Sequence, residues 1–172
     1  MLLISQTLLI VTFLMSGLAK IIRIKDFHNT LSQLNHSAMI VKLALFTVPS
    51  AEIITSILLF NKNTIVYGLI LIFALSLTFI IETIRILRLK KDVECNCFGT
   101  IINEKMNLVT IIKNIIILFI SLYLLFNGNT VFEYSYKVSE IISAVLFVIG
   151  VHLIYFTLAN IYNIINVKED VQ

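Results

Sequence analysis

Apolar residues occupy this chain in five long blocks, parted by short stretches that gather nearly all of its charge. A helix that crosses a bilayer needs about 20 mostly apolar residues, because each advances about 1.5 Å through a hydrocarbon core of about 30 Å. The blocks at about 2–19, 43–60, 64–87, 108–126 and 141–165 meet that requirement. Glu52 interrupts the second, Glu82 and Arg85 stand near the end of the third, and Lys113 and Asn114 fall in the opening turns of the fourth. In the last block Asn160, Asn163 and Asn166 recur every third residue, so its final turns are expected at the interface with a polar edge outward.

The stretch 22–40 between the first two blocks has a different pattern. Phe27, Leu31, Leu34 and Ala38 recur at helical spacing among Asp26, His28, Gln33 and His36. That alternation predicts a short amphipathic helix lying on the membrane surface. The first block has no basic stretch before it and no small-x-small cleavage pattern after it, so it is expected to stay as a span.

Composition agrees with the pattern. Of 172 residues 59% are hydrophobic and 13% charged, with a mean hydropathy of +0.99. Soluble domains carry about 25% charged residues, which they need to cover their surface. One Pro, five Gly and no low-complexity tract leave no linker, so residues 1–172 read as a single all-α, polytopic membrane domain. The net charge of +3 lies in loops beside apolar spans, without the aromatic platform that single-stranded nucleic acid requires. Its partner is therefore the lipid bilayer, not nucleic acid. Abundant Ile, Asn and Lys match an AT-rich bacterial genome, which points to a bacterial plasma membrane.

Orientation follows from the basic residues of the short loops. One side holds Lys20, Arg23, Lys25, Lys42, Arg85, Arg88, Lys90, Lys91, Lys105, Lys113 and Lys168; the other holds Lys62 and Lys137. Eleven against two puts the first and third connections in the cytoplasm and the N-terminus outside.

The third connection also carries the only two cysteines, in Cys95-Asn96-Cys97-Phe98-Gly99. Thiols one residue apart can close a small ring only if the backbone bends sharply, and Gly99 offers unusual backbone angles beside them. A strained disulfide is comparatively easy to reduce, as exchangeable ones are. Arg88, Lys90 and Lys91 favour the thiolate, whereas Asp92 and Glu94 oppose it. Two other readings stand beside this one: structural cysteines, or half of a zinc shell completed by His28 and His36, whose eight-residue gap fits zinc ligands poorly.

Ionisable residues within spans are costly and so carry information. Glu52 lies ten residues from Lys42, near mid-membrane, and three beyond Pro49, which frees a backbone carbonyl. Lys20 closes the first span on the side from which its long stem can reach Glu52. Glu82 and Arg85 are spaced to pair on one helix face. With Lys113 and Asn114 they gather toward the half of the bundle that bears the cysteines. They serve either as interhelical ties or as a proton relay or pocket beneath the thiols. His152, with Tyr155 one turn on, offers hydrogen bonds to a neighbouring helix or to a quinone.

Taken together, Ser16-Gly17-Leu18-Ala19-Lys20, Asp26-Phe27, Leu31, Pro49-x-x-Glu52, the Cys95-x-Cys97-Phe98-Gly99 segment and Lys113-Asn114 resemble the MauE branch of the DoxX-like membrane proteins. The resemblance covers Leu9 to about Phe126, and the cysteine segment is its specific part. Lys113 stands where the family more often has Arg, keeping the charge but losing the planar fork. The resemblance implies a four-helix core with a fifth C-terminal span, an association with redox chemistry, and a thioredoxin-like partner. Nothing in the residues speaks to methylamine as a substrate. Two functions are therefore expected to compete: thiol–disulfide exchange through Cys95 and Cys97, or a non-catalytic membrane subunit or carrier in assembly, export or immunity.

Overall fold

The computed structural model describes residues 2–34, 37–89, 108–127 and 138–169, the last of these without the side chains of 156, 159, 160 and those beyond 161. Six helices follow one another: α1 Leu2–Ile22, α2 Ile24–Gln33, α3 Ala38–Leu58, α4 Ile65–Arg88, α5 Leu108–Phe126 and α6 Val138–Glu169. No strand occurs among the described residues. Hydrocarbon offers backbone groups no partner, so a chain of this hydropathy satisfies them within helices. All but α2 are long and apolar enough to cross a membrane. The protein is an all-α, multi-pass membrane protein.

The boundaries depart from expectation where charge was taken as an end. α1 continues through Lys20 to Ile22 because Lys20 is buried rather than solvated. α3 begins at Ala38, taking in the residue that the amphipathic pattern gave to the preceding helix. α6 is 32 residues long, and its stretch Val138–Tyr155 is by itself apolar enough to cross a membrane. The asparagine stripe at 160, 163 and 166 has no described side chains.

α1, α3, α4 and α5 pack as a closed ring in that order, each against the next and α5 back against α1. The seam between α5 and α1 is the thinnest, and α6 lies outside the ring against α1. An apolar core fills the half of the ring nearest the N-terminus: Leu9, Ile10 and Phe13 of α1, Leu59, Ile65, Leu69 and Ile72 around the α3–α4 hairpin, and Leu124 of α5. Outward faces carry Phe46, Ile57, Phe73, Phe119, Phe147 and Leu153, all exposed. Such a surface suits lipid.

The hairpin between α3 and α4 is short and self-satisfied. Asn61 Oδ1 accepts from the backbone N–H of Asn63 at 3.0 Å, and Thr64 Oγ1 donates to the Leu58 carbonyl at 2.9 Å. Those bonds use groups that helix ends otherwise leave open.

The expected amphipathic helix is present as α2, shorter than the pattern predicted. Its apolar edge faces protein: Phe27, Leu31 and Leu34 are buried with Val41 of α3 and Ile86 of α4, flanked by Ala44, Leu45 and Val48. Packing takes precedence over a lipid-facing position because α3 and α4 reach beyond the end of α1 and leave an apolar wall there. Lys25, His28, Ser32 and Gln33 remain exposed. The bundle thus holds two apolar clusters, one toward each end, with a polar layer between them.

Candidate functional site

That layer is built where α1 comes close to α3 at Gly17. On α1, Ser16, Gly17 and Lys20 share one face, one turn below Phe13. On α3 they meet Pro49, Glu52 and Ile53. A Cβ placed on Gly17 would lie 2.9 Å from Ile53 Cγ1, 3.1 Å from the Pro49 carbonyl and 3.3 Å from Glu52 Cβ. Glycine is therefore required for the two backbones to approach, and the approach brings Lys20 within reach of Glu52.

Lys20 Nζ donates to both carboxylate oxygens of Glu52, at 2.6 and 2.8 Å, and to Ser16 Oγ at 2.7 Å. Ser16 in turn donates to Glu52 Oε1 at 3.1 Å. An ammonium has three N–H donors and no acceptor, so the group is fully satisfied. The rings of Phe79 and Phe27 stand 5.3 and 5.7 Å from the nitrogen, close enough for cation–π attraction. Both charges are 2% exposed. Removing such a pair from water costs several kcal/mol per ion, which only close geometry and complete hydrogen bonding offset.

Other predicted residues are bound elsewhere. Glu82 and Arg85 form an i,i+3 ion pair at 3.9 Å on α4. Lys113 of α5 hydrogen-bonds the Tyr155 hydroxyl of α6 and lies 4.6 Å from its ring centre. Asn114 donates to the Thr110 carbonyl of its own helix at 3.0 Å. His152 Nδ1 donates to the Val148 carbonyl at 2.9 Å, and Thr12 Oγ1 of α1 lies 3.2 Å from its Nε2. The contact to a neighbouring helix, one of the two uses open to His152, is thus made. Ala144, Val148, His152 and Tyr155 follow one another at helical spacing, and they mark the edge by which α6 sits on the ring.

Pro49 is buried inside α3. Cys95, Cys97, Phe98 and Gly99 lie outside the described residues, as does His36. Among the described residues no cluster of three His, Cys, Asp or Glu side chains stands ready for a metal ion. The connection bearing the cysteines leaves α4 after its last turn and enters α5 at Leu108. Both of those ends lie at the α2 end of the bundle, since Ile86 packs with α2.

Matched against protein-family models, residues 1–127 fit that of methylamine utilisation protein MauE. The chain belongs to the MauE family. No curated protein and no solved structure matches it. The MauE match runs from α1 to the end of α5, so it contains the whole four-helix ring, α2, the Lys20–Glu52 pair and both cysteines. α6 follows beyond the MauE match. The MauE region therefore closes as a bundle by itself, and α6 is attached to it through Thr12 and Lys113.

The part of Ser16 in the ion pair and the rings of Phe27 and Phe79 around the ammonium go beyond the residues expected at the site. The signal for Ser16 was its spacing: four residues before Lys20, it shares that residue's helix face. Phe79 had no signal, because an aromatic residue in an apolar span is ordinary.

Proposed function

We propose that this MauE-family protein is a membrane thiol–disulfide redox protein whose reacting groups are Cys95 and Cys97. The observation that carries the reading is the placement of the chain's only two cysteines one residue apart, in the connection between α4 and α5. In the reducing direction, one cysteine thiolate attacks a partner disulfide, forming a mixed disulfide and releasing one partner thiol. The other cysteine then attacks the mixed disulfide, leaving a Cys95–Cys97 bond and releasing the second partner thiol. Two electrons and two protons pass to the partner, and the reverse sequence oxidises a partner dithiol. A thioredoxin-like protein or a disulfide-bearing client fits this chemistry. With the cysteines on the cytoplasmic side, a quinone or a second protein is needed to carry electrons across, because a lone cysteine pair cannot form a transmembrane relay. Below that connection, Lys20 with Glu52 ties α1 to α3 and Lys113 ties α5 to α6, while Glu82, Arg85 and Asn114 add polar groups on α4 and α5.

A second reading, a non-catalytic membrane subunit or carrier, is favoured by the full pairing of the Lys20 ammonium with Glu52 and Ser16, which needs no reaction to account for it. Acid quenching of cells followed by thiol labelling separates the two. Redox exchange predicts a Cys95–Cys97 disulfide that interconverts with the dithiol, and a mixed disulfide trapped in one of Cys95→Ser and Cys97→Ser. Fully reduced cysteines in every condition, with both variants active, leave the subunit reading.

A further inference from the structure

The polar layer contains one group that the ion pair does not use. Ser76 of α4 is 1% exposed, and among the described residues its hydroxyl has no hydrogen-bond partner. Its neighbours in kind behave differently. Thr55, Ser56, Thr83 and Ser121 are equally buried, and each donates to a carbonyl on the preceding turn of its own helix. Ser76 Oγ does not turn back in that way. A buried hydroxyl left without a partner is destabilising, and an ordered water is one of the ways in which such a group is satisfied.

Its position follows from the packing register. Gly68 of α4 abuts Leu58 and Leu59, and Ile86 packs with Val41, so α3 and α4 run antiparallel with these pairs opposite. Eight residues beyond Gly68 is Ser76, and eight before Leu59 is Ala51, next to Glu52. Along α4, Ser76 lies between Ile72 of the apolar core and Phe79, whose ring faces Lys20. It therefore sits at the depth of Ser16, Lys20 and Glu52.

The carboxylate has a matching opening. Two oxygens offer about four acceptor positions. Glu52 Oε1 accepts from Lys20 and Ser16, whereas among the described residues Oε2 accepts from Lys20 alone. One donor on α4 and one acceptor position on α3 thus remain at the same level among the described residues. We infer that this layer is a binding site for a water molecule, which accepts from Ser76 Oγ and donates to Glu52 Oε2. The ion pair is then hydrated at mid-bundle, and the water ties α4 to the α1–α3 pair. Buried waters commonly make about three hydrogen bonds to groups otherwise unsatisfied.

The experiment is a double-mutant cycle on the full chain in nanodiscs, read as the midpoint of thermal unfolding by circular dichroism. Ser76→Ala should lower the midpoint by about 3 °C, the scale for a lost hydrogen bond in a protein of this size. The same change in a Lys20→Met/Glu52→Leu background should leave it unchanged or raise it, since the acceptor is gone. A midpoint that is unchanged or raised by Ser76→Ala in the native background overturns the site, as does an equal drop in both backgrounds. Should the background protein not insert, a structure in lipid that resolves waters decides alone. Density within hydrogen-bonding distance of Ser76 Oγ and Glu52 Oε2 supports the site, and a dry contact there overturns it.

Discussion

Lys20 and Glu52, 32 positions apart in sequence, meet at 2.6 Å with each charge 2% exposed. The pair joins the end of α1 to the middle of α3 and stands between two apolar clusters, so neither partner is open to bulk water. Removing one partner of a buried pair leaves a lone charge and costs about 3–5 kcal/mol, whereas replacing both with apolar residues is often neutral. Lys20→Met alone should therefore destabilise the protein severely. Lys20→Met/Glu52→Leu should recover most of the loss, as judged by yield in membranes and thermal unfolding of purified protein. Equal loss in the single and double variants would mean that the charges matter for something other than pairing.

Much of this arrangement could be read from residues because hydrocarbon leaves few options. Five apolar blocks become five helices when no other backbone solution exists, and a charge within a block must find a countercharge. Lys20 closes the first span on the side from which its long stem reaches Glu52 inside the next, which makes their contact legible. What could not be read was lateral. The order α1–α3–α4–α5 around the ring depends on side-chain fit, and no periodicity encodes it. For the same reason Lys113 was grouped with Glu82 and Arg85 by depth, whereas its contact is Tyr155 on α6. The edge of α2 was visible, but that it meets Ile86 rather than lipid depends on how far α3 and α4 project past α1.

Three glycines test how closely the helices approach. A Cβ on Gly17 would meet the Pro49 carbonyl at 3.1 Å and Ile53 at 2.9 Å; backbone cannot yield, so Gly17→Ala should cost about 1–3 kcal/mol. On Gly68 the nearest atoms are the Leu58 and Leu59 side chains at 3.2 Å, which can shift slightly. Gly68→Ala should lie near the low end of that range. Gly150 has nothing within 4 Å, so Gly150→Ala should stabilise α6 by about 0.5–1 kcal/mol through helix propensity. Thermal unfolding midpoints ranked 150, 68, 17 from highest to lowest are the expected result, and any other order contradicts the packing.

Polar contacts attach α6 by one edge, among them Thr12 with His152 and Lys113 with Tyr155. Hydrogen bonds between membrane helices average about 0.6 kcal/mol, so neither alone should be decisive. Tyr155→Phe keeps the ring over Lys113 and removes only the hydroxyl; Lys113→Met removes both attractions. The second change should therefore loosen α6 more than the first. A cysteine-free protein carrying a crosslinkable pair between α1 and α6 would show it as slower crosslinking in that order. Equal rates in both variants would mean that α6 is held by its apolar edge, Ala144 and Val148, alone.

The sidedness of the cysteines rests on charge, and the structure changes which charges count. Lys20 is sealed in its ion pair and Lys113 is engaged by Tyr155, so neither is a free loop charge. Setting them aside leaves nine basic residues against two, and Arg23, Lys25, Lys42, Arg85 and Arg88 are all exposed at the α2 end, with Lys62 exposed at the other. Basic residues in short loops are retained in the cytoplasm. Cys95 and Cys97 should accordingly resist a membrane-impermeant maleimide in intact cells and react once the membrane is opened. A cysteine introduced at Asn61, in the α3–α4 hairpin, should react in intact cells. If the pattern is inverted, the cysteines face the compartment where disulfides form, and electrons would then pass between this protein and an extracytoplasmic partner.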